Sequence, residues 1–273
     1  MLKRIQHNIG RAVEIVSEHG ISTLLIRIRR RLGLYFAYVS FIIETVLRGT
    51  HVVSLNGVRL DVGAADVAPK VFKRIYQGGY ERAEAQLIQD HIVEGVPTVD
   101  LGAGLGYSTC LLERQTGDAV TLGVEANPSL EPHLERTKNL NEADFDIVIT
   151  TYGSTGGNAE FHFTKEFWSA SLYNRENATE TVTVRTRSLE DLLSQHSIDD
   201  RFQLVSDIEG AEHDLITTET ALLRDRCERL LIEFHQFTDH DEGVYRDILE
   251  KNNFEHVTAV DGVHLFVNTG LSR

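Results

Sequence analysis

The feature that most constrains this chain is the run Val99-Asp100-Leu101-Gly102-Ala103-Gly104-Leu105-Gly106-Tyr107, an apolar strand-like stretch that breaks at alternate glycines and resumes as a helix-like one. Gly102 and Gly104 allow a tight turn and close approach of a ligand, and Gly106 allows close packing where the helix starts. The rest of the chain follows the same logic. Strand-like runs near 97–101, 119–125, 145–152, 203–208, 228–235 and 254–267, the last broken at Asp261-Gly262, alternate with helix-like segments near 107–116, 129–140, 188–195, 211–223 and 242–252. The alternation predicts an α/β fold with a doubly wound, mostly parallel sheet and helices on both faces. Ligands in such sheets bind at the carboxyl ends of the strands, here about 100–107, 125–127, 152–153, 207–210 and 233–236.

The spacing G-x-G-x-G differs from the G-x-G-x-x-G of dinucleotide sites, and Asp100 stands two residues ahead of the first glycine. A carboxylate there repels a pyrophosphate and attracts the ammonium and sulfonium charges of S-adenosylmethionine, so charge favours that cofactor over NAD. Glu125 closes the second strand at the distance expected for an acid that accepts both ribose hydroxyl protons. Tyr152-Gly153, at the end of the third, is the pair expected against adenine.

At these residues the chain resembles class I methyltransferases, which have a Rossmann-like fold, and the FkbM-like family of S-adenosylmethionine-dependent methyltransferases in particular. The resemblance rests on Tyr80-Glu81, on VDLGAGLGYST at 99–109, VEANP at 124–128, SLEDLL at 188–193, SDIEGAE at 206–212 and LLIEFH at 230–235. It covers about 70–267. It implies a cofactor site made by Asp100, Gly102, Gly104, Gly106, Tyr107, Glu125, Asn127, Tyr152 and Gly153. Ser206 departs from the lysine that the family usually carries before the acid of D-x-E-G-A-E, and 154–187 has no counterpart in the pattern, which makes it an expected cover for the acceptor pocket.

Methyl transfer to a hydroxyl needs alignment, exclusion of water and a base within reach of the acceptor oxygen. Asp207 and His235 are the candidate bases and Glu209 the candidate acceptor-orienting group, with structural readings open for each. No metal is assigned; Asp207, Glu209 and Glu233 are the alternative oxygen ligands for a divalent cation. Tyr107, Tyr152, Trp168, Tyr173 and Phe237 are candidates for an aromatic acceptor wall. The expected substrate is a sugar, glycan, glycolipid or other small molecule bearing a hydroxyl. A nucleotide-dependent oxidoreductase and a catalytically silent cofactor-binding scaffold are the rivals.

Charge divides the chain. Residues 1–60 hold nine Lys/Arg against three acids, a balance of +6, so the overall −14 leaves −20 on the rest, which argues against nucleic acid as substrate. Leu2, Ile5, Ile9, Val13 and Val16 mark a helical stripe, and Arg27 to Arg31 precede an almost wholly apolar run to Ile43, too short to cross a bilayer. Residues 24–47 read either as a peripheral membrane contact on the inner face or as a surface for packing on the catalytic domain or another subunit, including a homo-oligomer. Asn56-Gly57 predicts a type I′ hairpin turn that ends a first segment, 1–69, ahead of the catalytic domain at 70–273. Two cysteines, Cys110 and Cys227, form no disulfide framework, and a cytoplasmic location is expected.

Overall fold

The computed structural model describes residues 52–62, 71, 74–75, 77–164, 170–171, 178–208, 210–235 and 242–271. The amino-terminal stripe and the 24–47 segment lie outside them, as do Trp168, Tyr173, Glu209 and Phe237. No described helix is long and apolar enough to cross a membrane.

The chain enters through a hairpin, β1 (Val52–Leu55) and β2 (Val58–Asp61), paired Leu55↔Val58 across the predicted two-residue turn. Asn56 and Gly57 both have positive φ, 47° and 80°, as a type I′ turn requires. Helix α1 (Arg82–His91) then leads to β3 (Thr98–Leu101), α2 (Tyr107–Thr116), β4 (Thr121–Glu125), α3 (Glu131–Asn141) and β5 (Asp146–Ile149). After β6 (Thr151–Tyr152), β7 (Gly157–Thr164), β8 (Ala170–Ser171) and β9 (Ala178–Arg187) come α4 (Leu189–Gln195), β10 (Phe202–Ser206), α5 (Glu212–Thr218) and α6 (Thr220–Arg226). The chain ends with β11 (Cys227–Glu233), α7 (Glu242–Lys251), β12 (Phe254–Val260) and β13 (Val263–Asn268).

Seven strands form the central sheet in the order β12-β13-β11-β10-β3-β4-β5, with β13 antiparallel to both its neighbours and the β11-to-β5 strands parallel. The central strands β3, β4 and β10 are buried at every position, as parallel strands covered on both faces must be. Alternate residues of β10 enter different cores: Leu204 packs with α4, α5 and α7, whereas Val205 packs with α1, α2 and the hairpin residues Val58 and Leu60. Gly123 in β4 leaves room for Thr109 of α2, whose Cγ2 would lie 3.0 Å from an added Cβ. Gln203 is fully buried yet satisfied, its amide exchanging hydrogen bonds with both backbone groups of Val93 and tying the α1–β3 connection to the sheet.

Two expectations change. The run 145–152 divides at Thr150, and β6 leaves the central sheet to pair in parallel with β9 in a second sheet, β6-β9-β7-β8. The helix expected at 211–223 is two helices. The break expected at Asp261-Gly262 is present, as the tight turn of the antiparallel pair β12–β13. Both cysteines are buried, and burial pushes the Cys110 thiol up to about 12 and the Cys227 thiol higher still.

Candidate functional site

A cavity of about 330 Å³, within the size range of small-molecule sites, opens at the carboxyl ends of the parallel strands where the order reverses between β3 and β10. The two strands stay paired to its floor, with Asp207 N–H donating to the Leu101 carbonyl at 2.8 Å. Gly102 permits this closure: a Cβ there would fall 2.0 Å from the Asp207 carbonyl oxygen. Gly102 and Gly104 line the cavity, as the sequence predicts. Gly106 does not; at φ 81° it caps α2 and packs on Leu134 of α3, 3.1 Å from where its Cβ would be.

Asp100 is not on the cavity wall. It is 1% exposed, and its Oδ2 accepts hydrogen bonds from Ser108 Oγ at 2.9 Å and Thr109 Oγ1 at 2.5 Å, so it locks the glycine bend onto α2. Burial raises its pKa to about 6, with the Thr109 and Ser108 hydroxyls pulling the other way. Tyr107 also leaves the cofactor set. It is buried, and its hydroxyl accepts from Asn56 Nδ2 at 2.8 Å, pinning the hairpin to α2. The helical turn that follows Gly106 points this side chain toward the hairpin.

Glu125 does line the cavity. Its Oε2 accepts the Gly104 N–H at 2.8 Å and its Oε1 the Asn127 N–H at 2.7 Å, while burial raises its pKa to about 7 against those two bonds. Each oxygen keeps a lone pair for a ligand hydroxyl. Asn127 caps the 3₁₀ turn Pro128–Leu130 through Oδ1, and its Nδ2, buried on the cavity wall, has no hydrogen-bond partner among the described residues. Tyr152 lines the cavity with its hydroxyl 3.1 Å from Thr218 Oγ1, but Gly153 faces Thr186 instead. No described residue of 154–187, the expected cover, lines the cavity; Thr151 and Tyr152 of β6, just ahead of it, do.

On the opposite side, Asp207, Glu233 and His235 come together from the ends of β10 and β11. His235 Nδ1 is 2.7 Å from Glu212 Oε1, and Glu212, 2% exposed, also accepts the Gly210 N–H at 3.1 Å. That carboxylate accepts a hydrogen bond from Nδ1–H in the tautomer that leaves Nε2 without a proton, facing Asp207 Oδ1 at 3.5 Å and Glu233 Oε1 at 3.9 Å. One ligand atom from each of Asp207, Glu233 and His235 lies within 4.8 Å of the others, a set able to hold a divalent cation; of the ligands expected from the sequence it contains Asp207 and Glu233, and Glu209 lies outside the described residues.

Residues that sequence reasoning passed over complete the wall. Glu212 is the partner of His235, and Glu81 and Glu84 of α1 line the cavity. Glu81 stands in the sequence only as part of the Tyr80-Glu81 pair of the family resemblance, with no role given to it, and the signal for Glu84 is the three-residue spacing that sets both on one helix face. Burial first, then the charges of Asp207, Asp100 and Glu233, raise Glu81 to about 8, with the Tyr80 hydroxyl pulling it back. Glu84 is raised well above the usual carboxylate range by burial and by Glu81. The described wall therefore carries six carboxylates, from Glu81, Glu84, Glu125, Asp207, Glu233 and Asp261, against Arg74 and Arg82. It suits a cationic ligand with hydroxyls and disfavours a diphosphate. Glu125 and the unpartnered Asn127 amide on one side, and the acidic wall on the other, fit S-adenosylmethionine.

No curated protein matches the chain. Solved structures similar to it include a TehB-like SAM-dependent methyltransferase from Corynebacterium glutamicum, at 16% identity over 68% of this chain and 88% of the other, TM-score 0.38. A SAM-dependent methyltransferase from Aquifex aeolicus is 12% identical over 69% and 93% of the two chains, TM-score 0.37. Aeropyrum pernix fibrillarin, in complex with natively bound S-adenosylmethionine, is 13% identical over 68% and 72%, TM-score 0.39. The methyltransferase FkbM domain model matches residues 100–258, from the buried acid of β3 to the middle of β12. With more than half of its length inside that match, this chain belongs to the FkbM methyltransferase family, an S-adenosylmethionine-dependent class of enzyme.

Proposed function

We propose that the protein uses S-adenosylmethionine to methylate a hydroxyl of a sugar, glycan, glycolipid or other small molecule. The observation that carries this reading is His235 on the cavity wall, its Nδ1 held by buried Glu212 at 2.7 Å and its Nε2 left toward the cavity carboxylates. The cofactor, when bound, supplies a methyl group on a positively charged sulfur that is already a good leaving group. The chain's own work is alignment and proton removal. Glu125 and Asn127 hold ribose hydroxyls and Tyr152 borders the adenine. Asp207 and Glu233 orient the acceptor by taking hydrogen bonds from its hydroxyls, and His235 Nε2 accepts the proton of the hydroxyl that is methylated. The imidazolium so formed is stabilised by Glu212 and Asp207.

The test has two parts. Calorimetric titration should show binding of S-adenosylhomocysteine and none of NAD; the reverse would overturn the cofactor assignment. With methyl-labelled donor and host carbohydrate and lipid fractions, His235→Asn should lower label transfer by about 10²- to 10⁴-fold, with binding of S-adenosylhomocysteine retained. Undiminished transfer would remove His235 as base. A second reading, favoured by the cluster of Asp207, Glu233 and His235, has a divalent cation there polarise the acceptor hydroxyl. Transfer that survives a chelator would remove it.

A further inference from the structure

Glu81 and Glu84 have no task in the chemistry above, and both lie outside the matched residues 100–258. Glu81 holds the N-cap of α1, where a side-chain oxygen ordinarily takes an N–H of the first turn, yet it makes no capping bond. Its backbone is in the left-handed region at φ 44°, which is unfavourable for a residue with a Cβ. Its Oε2 is buried with no hydrogen-bond partner among the described residues. Glu84, one turn further on and 6% exposed, lines the same cavity. A buried acid and a half-buried one with a buried, unpaired oxygen, side by side on one cavity, are costly unless they are protonated or met by a cation.

Gly104 fixes which end of a ligand they meet. Its N–H goes to Glu125, the ribose acid, whereas a Cβ on it would lie 3.6 Å from the hydroxyl of Tyr80, the residue before Glu81. The bend therefore separates a hydroxyl-binding side from an acidic side. A sulfonium carries no N–H, but a primary ammonium brings three donors and a full charge to an oxygen that has none. Resting on the donor assigned above, we propose that Glu81, with Glu84 beside it, binds the ammonium group at the amino-acid end of S-adenosylmethionine.

The test is a two-by-two titration calorimetry cycle: wild type and Glu81→Gln, each with S-adenosylhomocysteine and with its analogue in which hydrogen replaces the amino group. Loss of a charge-assisted hydrogen bond should weaken binding of S-adenosylhomocysteine by Glu81→Gln at least about tenfold, with the analogue's affinity unchanged. Equal weakening of both compounds, or of neither, overturns the proposal. Glu84→Gln should show the same pattern at smaller amplitude, and it answers the question if circular dichroism finds Glu81→Gln unfolded. Wild type that binds neither compound contradicts the donor assignment itself. Wild type that binds both equally contradicts the ammonium role alone.

Discussion

Asp100 and Glu125, at the ends of β3 and β4, are each held by two hydrogen bonds from the chain itself, from the hydroxyls of Ser108 and Thr109 and from the N–H groups of Gly104 and Asn127. Across the cavity, burial and the neighbouring charges of Asp207 and Glu233 raise the proton affinity of Glu81 and Glu84, with His235 as the nearest base. Acids of the first kind shape the glycine bend, whereas acids of the second kind hold repulsion that a cation relieves. Distance from the bend in sequence does not distinguish them; the supply of internal donors does.

The largest effect that would sharpen this contrast is Gly102→Ala. With φ at 99° and an added Cβ 2.0 Å from the Asp207 carbonyl oxygen, it should destabilise the fold by about 3 kcal/mol or more in chemical denaturation. Gly104→Ala, whose nearest contact would be 3.6 Å away, carries only the cost of positive φ, about 1 kcal/mol. Equal losses at the two glycines would break the distinction between a residue that closes two strands and one that faces the ligand.

The next effect is on the pH dependence of stability. Glu81 and Glu125 have raised folded pKa values, about 8 and about 7 against 4.5, so between about pH 5 and 8 the folded protein binds more protons than the unfolded chain. Their contribution is present below pH 4.5 and is lost as pH rises through the folded values. Glu81→Gln should therefore gain stability relative to wild type as pH rises from 6 to 8, by up to about 1.4 kcal/mol per unit, in thermal denaturation without ligand. Parallel wild-type and variant profiles would contradict the stored repulsion. Tyr107→Phe should have the smallest effect, losing the Asn56 bond for about 1 kcal/mol and leaving donor affinity unchanged. A drop in donor affinity would return Tyr107 to the cofactor site.

Local signals were legible where one segment decides its own structure. Helix α2 spans the expected 107–116, the Asn56-Gly57 turn forms, and Glu125 reaches the cavity because a parallel strand delivers its last residue to the ligand edge. What stayed hidden depends on facing directions between distant segments. Asp100 turns to the helix two turns of chain later, and Gly153 meets Thr186 because the chain changes sheets at Thr150. The alternation of Thr and Val through 181–184 was the available sign of β9. Nothing local in α1 says that its Glu81 and Glu84 close the cavity, since their neighbours there come from β3, β10 and β11.

The central claim, that Glu81 and Glu84 at the start of α1 hold the cationic end of the donor while Asp207 and Glu233 are left to the acceptor, is tested most directly by a crystal structure with S-adenosylhomocysteine. The account predicts the ammonium nitrogen about 3 Å from a Glu81 carboxylate oxygen, with the ribose hydroxyls on Glu125. An amino-acid end turned away from α1, or a cavity that accepts a diphosphate in its place, would contradict it.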